Sequence, residues 1–393
     1  MNSVQAEVEL GAVAKGGSCV ARLGESGRVV FVRGGIPGEI VRIEVTDASR
    51  AAWWRGRVTE VIQASADRVV PPCPVADRCG GCDWQHIALD RQRALKAELV
   101  AGQLRHLAGV DARLDVKAVT GDEDGLAWRT RMRYLIAGGT IGLRAPFSHD
   151  VVPVPASGCP LAVSGGPGPQ ALTTLAGTDG EIAVTIAESG VTVWSSRRGI
   201  LSGDAVVTQR AAGRAYRVRA DGFWQVHPGA ADALAHAVVE ALQPGPGETA
   251  LDLYCGAGLF AGVLDDAGAL VFGVDDNRAA VALARRNVPN ASFIDGRVEK
   301  APWPPDDGTN VGLVVLDPPR SGAGASVVRR VAAAGPRAVA YVACDEASLA
   351  RDVAVFAACG YELTDLKAFD IFPMTSHVEC VARLTPVKIG PGS

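Results

Sequence analysis

"ETALDLYCGAGLF" (Glu248–Phe260) decides how the second half of the chain is read. Its apolar start has the content of a buried strand, Gly256 and Gly258 mark a tight turn, and Leu259–Phe260 open a helical pattern. Glycines at such a turn let the backbone approach a ligand closely. The same rhythm recurs in "LVFGVDDNRAAVALARRN" (Leu270–Asn287), "VGLVVLDPPRSG" (Val311–Gly322) and "AVAYVACDEASLARDVAVFAACG" (Ala338–Gly360). "AADALAHAVVEAL" (Ala230–Leu242) reads as a helix just upstream. Alternating strands and helices predict a mostly parallel sheet covered on both faces, an α/β Rossmann-like domain over residues 221–393.

Ligands of such sheets bind beyond the carboxyl ends of the strands. Asp275 ends the second strand, where an acid accepts hydrogen bonds from ribose hydroxyls, and Asp317 ends a third strand on the same rim. The loop is not Gly-x-Gly-x-x-Gly and no P-loop lysine follows, which disfavours NAD and ATP. The spacing of Asp252, Gly256 and Gly258 resembles that of class I S-adenosylmethionine methyltransferases.

Upstream the composition differs. Residues 1–65 read as short strands with Gly-rich turns, and the alternation in "EIVRIEV" and "GRVTEVI" has the period of a half-buried sheet. A small OB-like β-barrel is expected there. Residues 66–220 read as a Pro- and Gly-rich cysteine loop, a helix at about 86–108, and an irregular β-rich central domain. That helix is a candidate to pack on the last domain. No run of eighteen uncharged apolar residues or signal-like start is present, so a cytoplasmic protein, expected to be a monomer, is the first reading.

The formal net charge of -4 argues against nucleic acid, but its distribution does not. Leu126–Ala220 holds ten Arg and no Lys against five acids. Arg129, Arg131, Arg133 and Arg144 fall in a window, Gly125–His149, with no acid. A local basic surface of this kind binds phosphates even on an acidic protein.

Cys73, Cys79 and Cys82 lie on one short loop, and Cys159 sits in a similar Gly/Pro turn. Soft thiolates select zinc or iron–sulfur. His86 is the alternative fourth ligand, and free buried thiols are the plainer reading. Spacing alone leaves zinc and a [4Fe–4S] cluster open.

Cys344 ends the strand "AVAYVA", and His377 and Glu379 share one face of an expected late strand. A thiol and a carboxylate beside a methyl donor point to carbon methylation. Thiolate addition to C6 of a pyrimidine activates C5, and a base then removes the C5 proton. Asp345 is a candidate N-cap for the helix that follows, whose positive end would lower the Cys344 pKa. Cys255, Cys359 and Cys380 read as packing residues.

"LDLYCGAGLF", "LDPPRSG", "CDEASLARD" and "FPMTSHVE", with the cysteines upstream, resemble the RNA 5-methyluridine (uracil-C5) methyltransferase family over nearly the whole chain. The resemblance implies an N-terminal TRAM domain that binds RNA, and a [4Fe–4S] cluster on Cys73, Cys79, Cys82 and Cys159. It implies S-adenosylmethionine contacts at Gln225, Tyr254, Asp275 and Asp317, beside the candidate cofactor-binding glycines of the turn, Gly256 and Gly258. Cys344 maps to the nucleophile and Glu379 to the base. The substrate class implied is structured RNA, ribosomal or transfer. The chain departs from the family pattern at His227, Leu259, Asp345, Glu346 and Met374. Amino-group methylation, and an RNA-binding protein that keeps the cofactor pocket without strong catalysis, are the alternative readings.

Overall fold

A computed structural model describes residues 4–24, 27–121, 123–303 and 310–388. Strands β1 (Gln5–Glu9), β2 (Cys19–Leu23), β3 (Arg28–Arg33), β4 (Ile40–Asp47) and β5 (Trp53–Gln63) form one sheet in the order β1-β4-β5-β3-β2. Alternation buries Val30, Val32, Val41 and Ile43 with Leu10 and Cys19 in a core of its own. Register shifts along the β4–β5 pair give the local twist that curls such a sheet.

The cysteine loop leads into α1 (Leu89–Gln103), then β6 (Val116–Ala118). A second sheet has the order β12-β11-β10-β7-β8-β9. It is built from β7 (Arg131–Ala137), β8 (Thr140–Arg144), β9 (Val151–Pro153), β10 (Gly180–Ala187), β11 (Gly190–Ser195) and β12 (Gly199–Ser202). Helix α2 (Pro169–Ala176) packs Leu172 and Ala176 on it. A hairpin, β13 (Val206–Ala211) and β14 (Arg214–Arg219), follows.

The last part alternates α3 (Ala230–Leu242), β15 (Thr249–Leu253), α4 (Leu259–Asp266), β16 (Leu270–Asp275), α5 (Arg278–Asn287), β17 (Ser292–Asp295), β18 (Leu313–Leu316), α6 (Gly324–Ala333), β19 (Ala338–Ala343), α7 (Glu346–Ala358), β20 (Tyr361–Asp370) and β21 (Glu379–Pro386). The large sheet has the order β17-β16-β15-β18-β19-β21-β20-β6. β15, β18 and β19 are buried at every residue, as strands covered on both faces must be. β21 runs antiparallel to both of its neighbours, and the other pairs are parallel.

Packing does not divide at residue 220. β6 adds an edge strand to the large sheet, and Val207, Tyr216 and Val218 of the hairpin share a core with Leu234 and Leu264. Val100 of α1 and the adjoining Leu104 pack with Val353 and Phe356 of α7. Among the described residues no helix is long and apolar enough to cross a membrane.

Candidate active site

A cleft of about 910 Å³ opens along the carboxyl ends of β15, β16, β18 and β19. Gln225, Tyr254, Gly256, Asp275, Asp317, Cys344 and Glu379 all line it. Topology explains the meeting. Tyr254, Asp275, Asp317 and Cys344 each end, or directly follow, a parallel strand. The reversed β21 begins where β19 ends, with Ala343 opposite Cys380, so its first residue, Glu379, falls beside Cys344. His377 precedes β21 and shares no strand face with Glu379, unlike the expectation from alternation.

The Gly loop is held from both sides. Asp275 accepts from Gly256 N at 2.9 Å and Asn277 N at 2.7 Å. A carboxylate has further lone pairs, so Asp275 keeps capacity for ligand hydroxyls. Gly256 takes φ +52°, which suits a glycine and leaves its backbone open to the cleft. Gly258 is different: it is absent from the cleft wall, and a Cβ there would lie 3.4 Å from Ala284 and Val288. Its φ of +90° requires a glycine at the start of α4, where the turn lies against α5.

The cleft is acidic and deeply buried at its base. Glu379 is 3% exposed, and burial followed by the nearby Asp317 holds its pKa well above the carboxylate range. Burial, then Asp275, lifts Asp317 to about 7. Burial also lifts Asp252 to about 8; its Oδ2 accepts from Ala261 N at 2.8 Å, at the start of α4.

Cys344 is half-buried, and its thiol is pushed up to about 12 by burial, then by Glu379 and Asp317, with Arg320 opposing. Desolvation and two carboxyl groups therefore raise the thiol pKa, against the lowering expected from the helix end. Asp345 does cap α7, accepting from Ser348 N at 2.8 Å. Arg320 also lies 3.2 Å from His377 Nε2, and burial drops the His377 pKa to about 4, so that ring is neutral. Phe223, Arg320 and Phe372 complete the wall. Arg320 had a signal, its place in the Asp-Pro-Pro-Arg loop; Phe372, from a remote segment, had none.

Cys73, Cys79, Cys82 and Cys159 line one small pocket with Met132, Leu143 and Leu161. Gln85 Nε2 donates to Cys82 Sγ at 3.1 Å and Gly81 N to Cys79 Sγ at 3.4 Å. A Cβ on Gly80 would stand 2.6 Å from the Arg144 carbonyl, so a glycine there lets the loop lie against β8. His86 is elsewhere, with Nε2 3.3 Å from the Gly35 carbonyl. Among the described residues no three His, Cys, Asp or Glu converge as ligands of one ion.

Residues 5–52 match the TRAM domain family, and residues 251–314 match a family described as methyltransferase domain. A Streptomyces avermitilis protein named "uncharacterized RNA methyltransferase" is 43% identical, over 98% of this chain and 99% of that one. The chain belongs to this RNA methyltransferase family. A Bifidobacterium longum relative with the same name is 35% identical over 97% of both chains. The crystal structure of a Pyrococcus abyssi tRNA (uracil-54, C5)-methyltransferase with S-adenosyl-L-homocysteine superposes at TM-score 0.73 and 22% identity. It covers 96% of this chain and 99% of its own, and shows the shared fold.

In this RNA methyltransferase the four expected phosphate contacts separate. Arg133 and Arg144 are exposed; Arg133 pairs with Glu181 at 2.9 Å, and Arg144 lies 3.1 Å from His149 Nδ1. Arg129 is half-buried, 5.9 Å from the Trp128 ring. Arg131 turns inward: one guanidinium nitrogen donates to the carbonyls of Arg219 at 3.3 Å, Ala220 at 3.0 Å and Gly222 at 2.7 Å. Arg131 shares its strand face with the exposed Arg133, so alternation does not separate them; the chain leaving β14, whose carbonyls lie over the start of β7, does. It is a clamp on that segment, not a phosphate contact.

Proposed function

We propose that the RNA methyltransferase moves a methyl group from S-adenosylmethionine to C5 of one uridine in a structured ribosomal or transfer RNA. The observation that carries this is the thiol–carboxylate pair, Cys344 and Glu379, placed side by side by the β19–β21 register on the cofactor rim. The donor supplies an electrophilic methyl group. Gln225, Tyr254, Gly256, Asp275 and Asp317 would hold it, and the cleft volume suits a ligand of its size. The target base leaves its stack to enter the cleft. Cys344 adds through sulfur to C6, and the electron pair shifts toward C5. C5 takes the methyl group as the methyl–sulfur bond of the donor breaks, and the neutral thioether, S-adenosylhomocysteine, is the leaving group. Glu379 removes the C5 proton, and the C6–S bond breaks to restore the thiolate. Arg320 favours both ionised forms, the thiolate and the carboxylate.

The remaining parts follow as proposals. The barrel at 1–65 and the exposed Arg133 and Arg144, with Arg129, hold RNA phosphates in the cytoplasm. The 66–220 segment carries the cysteine pocket, and 221–393 transfers the methyl group. Four thiols that line one pocket are a donor set that an iron–sulfur cluster takes, and soft thiolates also suit zinc. The N–H donors on Cys79 and Cys82 are what thiolate ligands accept. Such a group would pin the loop between barrel and central sheet.

Incubation with S-adenosylmethionine and RNA carrying 5-fluorouridine tests the reading, because fluorine at C5 blocks the proton removal. A protein–RNA adduct that maps to Cys344 is expected. Methyl transfer without any adduct, and full activity in Cys344→Ala, would instead favour amino-group methylation. RNA binding without transfer would favour a non-catalytic RNA-binding protein.

A further inference from the structure

The barrel reaches the catalytic thiol's own motif. A tight turn joins β1 and β2, with Ala14 N donating to Ser18 O at 2.8 Å and Gly17 N to Ala14 O at 3.1 Å. Gly16 and Gly17 take φ +84° and +79°, which the turn requires. The turn is seated, not loose. Trp84 Nε1 donates to Gly17 O at 2.9 Å, and a Cβ on Gly17 would stand 2.9 Å from Ser376 Cβ. From this turn Lys15 forms an ion pair with Asp345, the residue after Cys344. Asp345 is 11% exposed by side chain and Lys15 is 53% exposed. One carboxylate therefore caps α7 and binds the barrel's lysine.

We propose that Lys15 is a positioning residue for the methyl-transfer reaction: it neutralises Asp345 and so keeps the adjoining Cys344 able to ionise when the barrel is docked. The inference rests on Cys344 being the nucleophile. The charged groups facing the thiol explain the need. Glu379 from β21 and Asp317 from the β18 loop oppose ionisation, and Arg320 favours it. Glu346 on α7 is a further buried carboxyl group whose pKa is raised by burial, then by Asp345, and lowered by Lys15 and Arg320. His377 is neutral. An unpaired Asp345 would add another negative charge to a half-buried thiol already hard to ionise. Lys15 and Asp345 lie 330 positions apart, so only the docked barrel supplies the compensation.

The test measures iodoacetamide labelling of the Cys344 peptide by mass spectrometry on the full-length protein, across pH and without RNA. Labelling rate follows the thiolate fraction, so Lys15→Met should slow it about threefold or more near pH 8, an upward shift of roughly half a pKa unit. Lys15→Arg should keep the original rate, and Asp345→Asn in the Lys15→Met background should restore it. A Lys15→Met rate equal to the original overturns the proposal. So does a Lys15→Met/Asp345→Asn variant as slow as Lys15→Met, since loss of docking alone would produce that. Methyl transfer by Cys344→Ser tests the nucleophile assignment separately, because the labelling rates do not depend on turnover.

Discussion

Glu379 and Cys344 share one rim because β21 is the reversed strand: Ala343 pairs with Cys380, so the carboxyl group enters the cleft beside the thiol from the neighbouring strand. Burial, then Glu379 and Asp317, holds the Cys344 thiol protonated, and burial, then Asp317, raises Glu379.

Glu379→Gln should separate adduct formation from release. The amide keeps the shape but cannot take the C5 proton, so turnover should fall about 100-fold or more. A covalent RNA adduct should then accumulate with ordinary uridine. Gel-shift of denatured protein with labelled RNA checks this, and unchanged turnover counts against the base role.

Asp252→Asn should stabilise the ligand-free protein increasingly as pH rises. The native carboxyl titrates near 8, far above the ordinary value of 3.8, so the native state holds a proton that the unfolded chain has released. Stability from this group is complete below the unfolded pKa and is lost as pH climbs toward 8. The gain in thermal midpoint for Asp252→Asn should therefore be small at about pH 5 and larger at about pH 8. A gain that shrinks with pH contradicts the assignment.

Arginines on one strand should behave differently. Arg133→Ala and Arg144→Ala should each weaken RNA binding several-fold and flatten its salt dependence by about one unit of slope. Arg131→Ala removes a charged clamp on three carbonyls, a loss of about 1.5–3 kcal/mol per strong bond at the upper end. It should lower the melting temperature and weaken S-adenosylmethionine binding, with little change in salt slope. Calorimetry and RNA titration distinguish the two patterns.

Lys96 and Asp370 are both fully buried, and Arg93 approaches the same carboxylate at 3.3 Å. Lys96 also donates to the Phe372 carbonyl at 3.0 Å, tying α1 to the segment before Glu379. Asp370→Asn leaves the buried Lys96 without its counter-charge and should cost about 3–5 kcal/mol. Denaturant titration reads this directly.

The fold of the last domain was legible because apolar strands, Gly turns and amphipathic helices each follow a short-range period. The cleft residues Asp275, Asp317 and Cys344 were legible for the same reason: each directly ends or follows a recognisable strand. Glu379 needed the register of β21, and the cysteine pocket needed the central sheet to bring Cys159 back to the loop at 73–82. Arg131 was misread because residue type states charge, while only the packed strand states direction. Gly258 starts α4 at φ +90° against α5, outside the cleft wall that Gly256 lines.

Sequence by itself determined which elements form, which residues end them and which side chains bear chemistry, since these rest on local spacing and residue type. Tertiary structure decided which of those residues share a site and in what charge state. Asp345 shows the division: its N-cap position is local, whereas its pairing with Lys15 exists only because the barrel docks there. Burial and partner charge set the pKa of Cys344, and both come from chain segments remote in sequence.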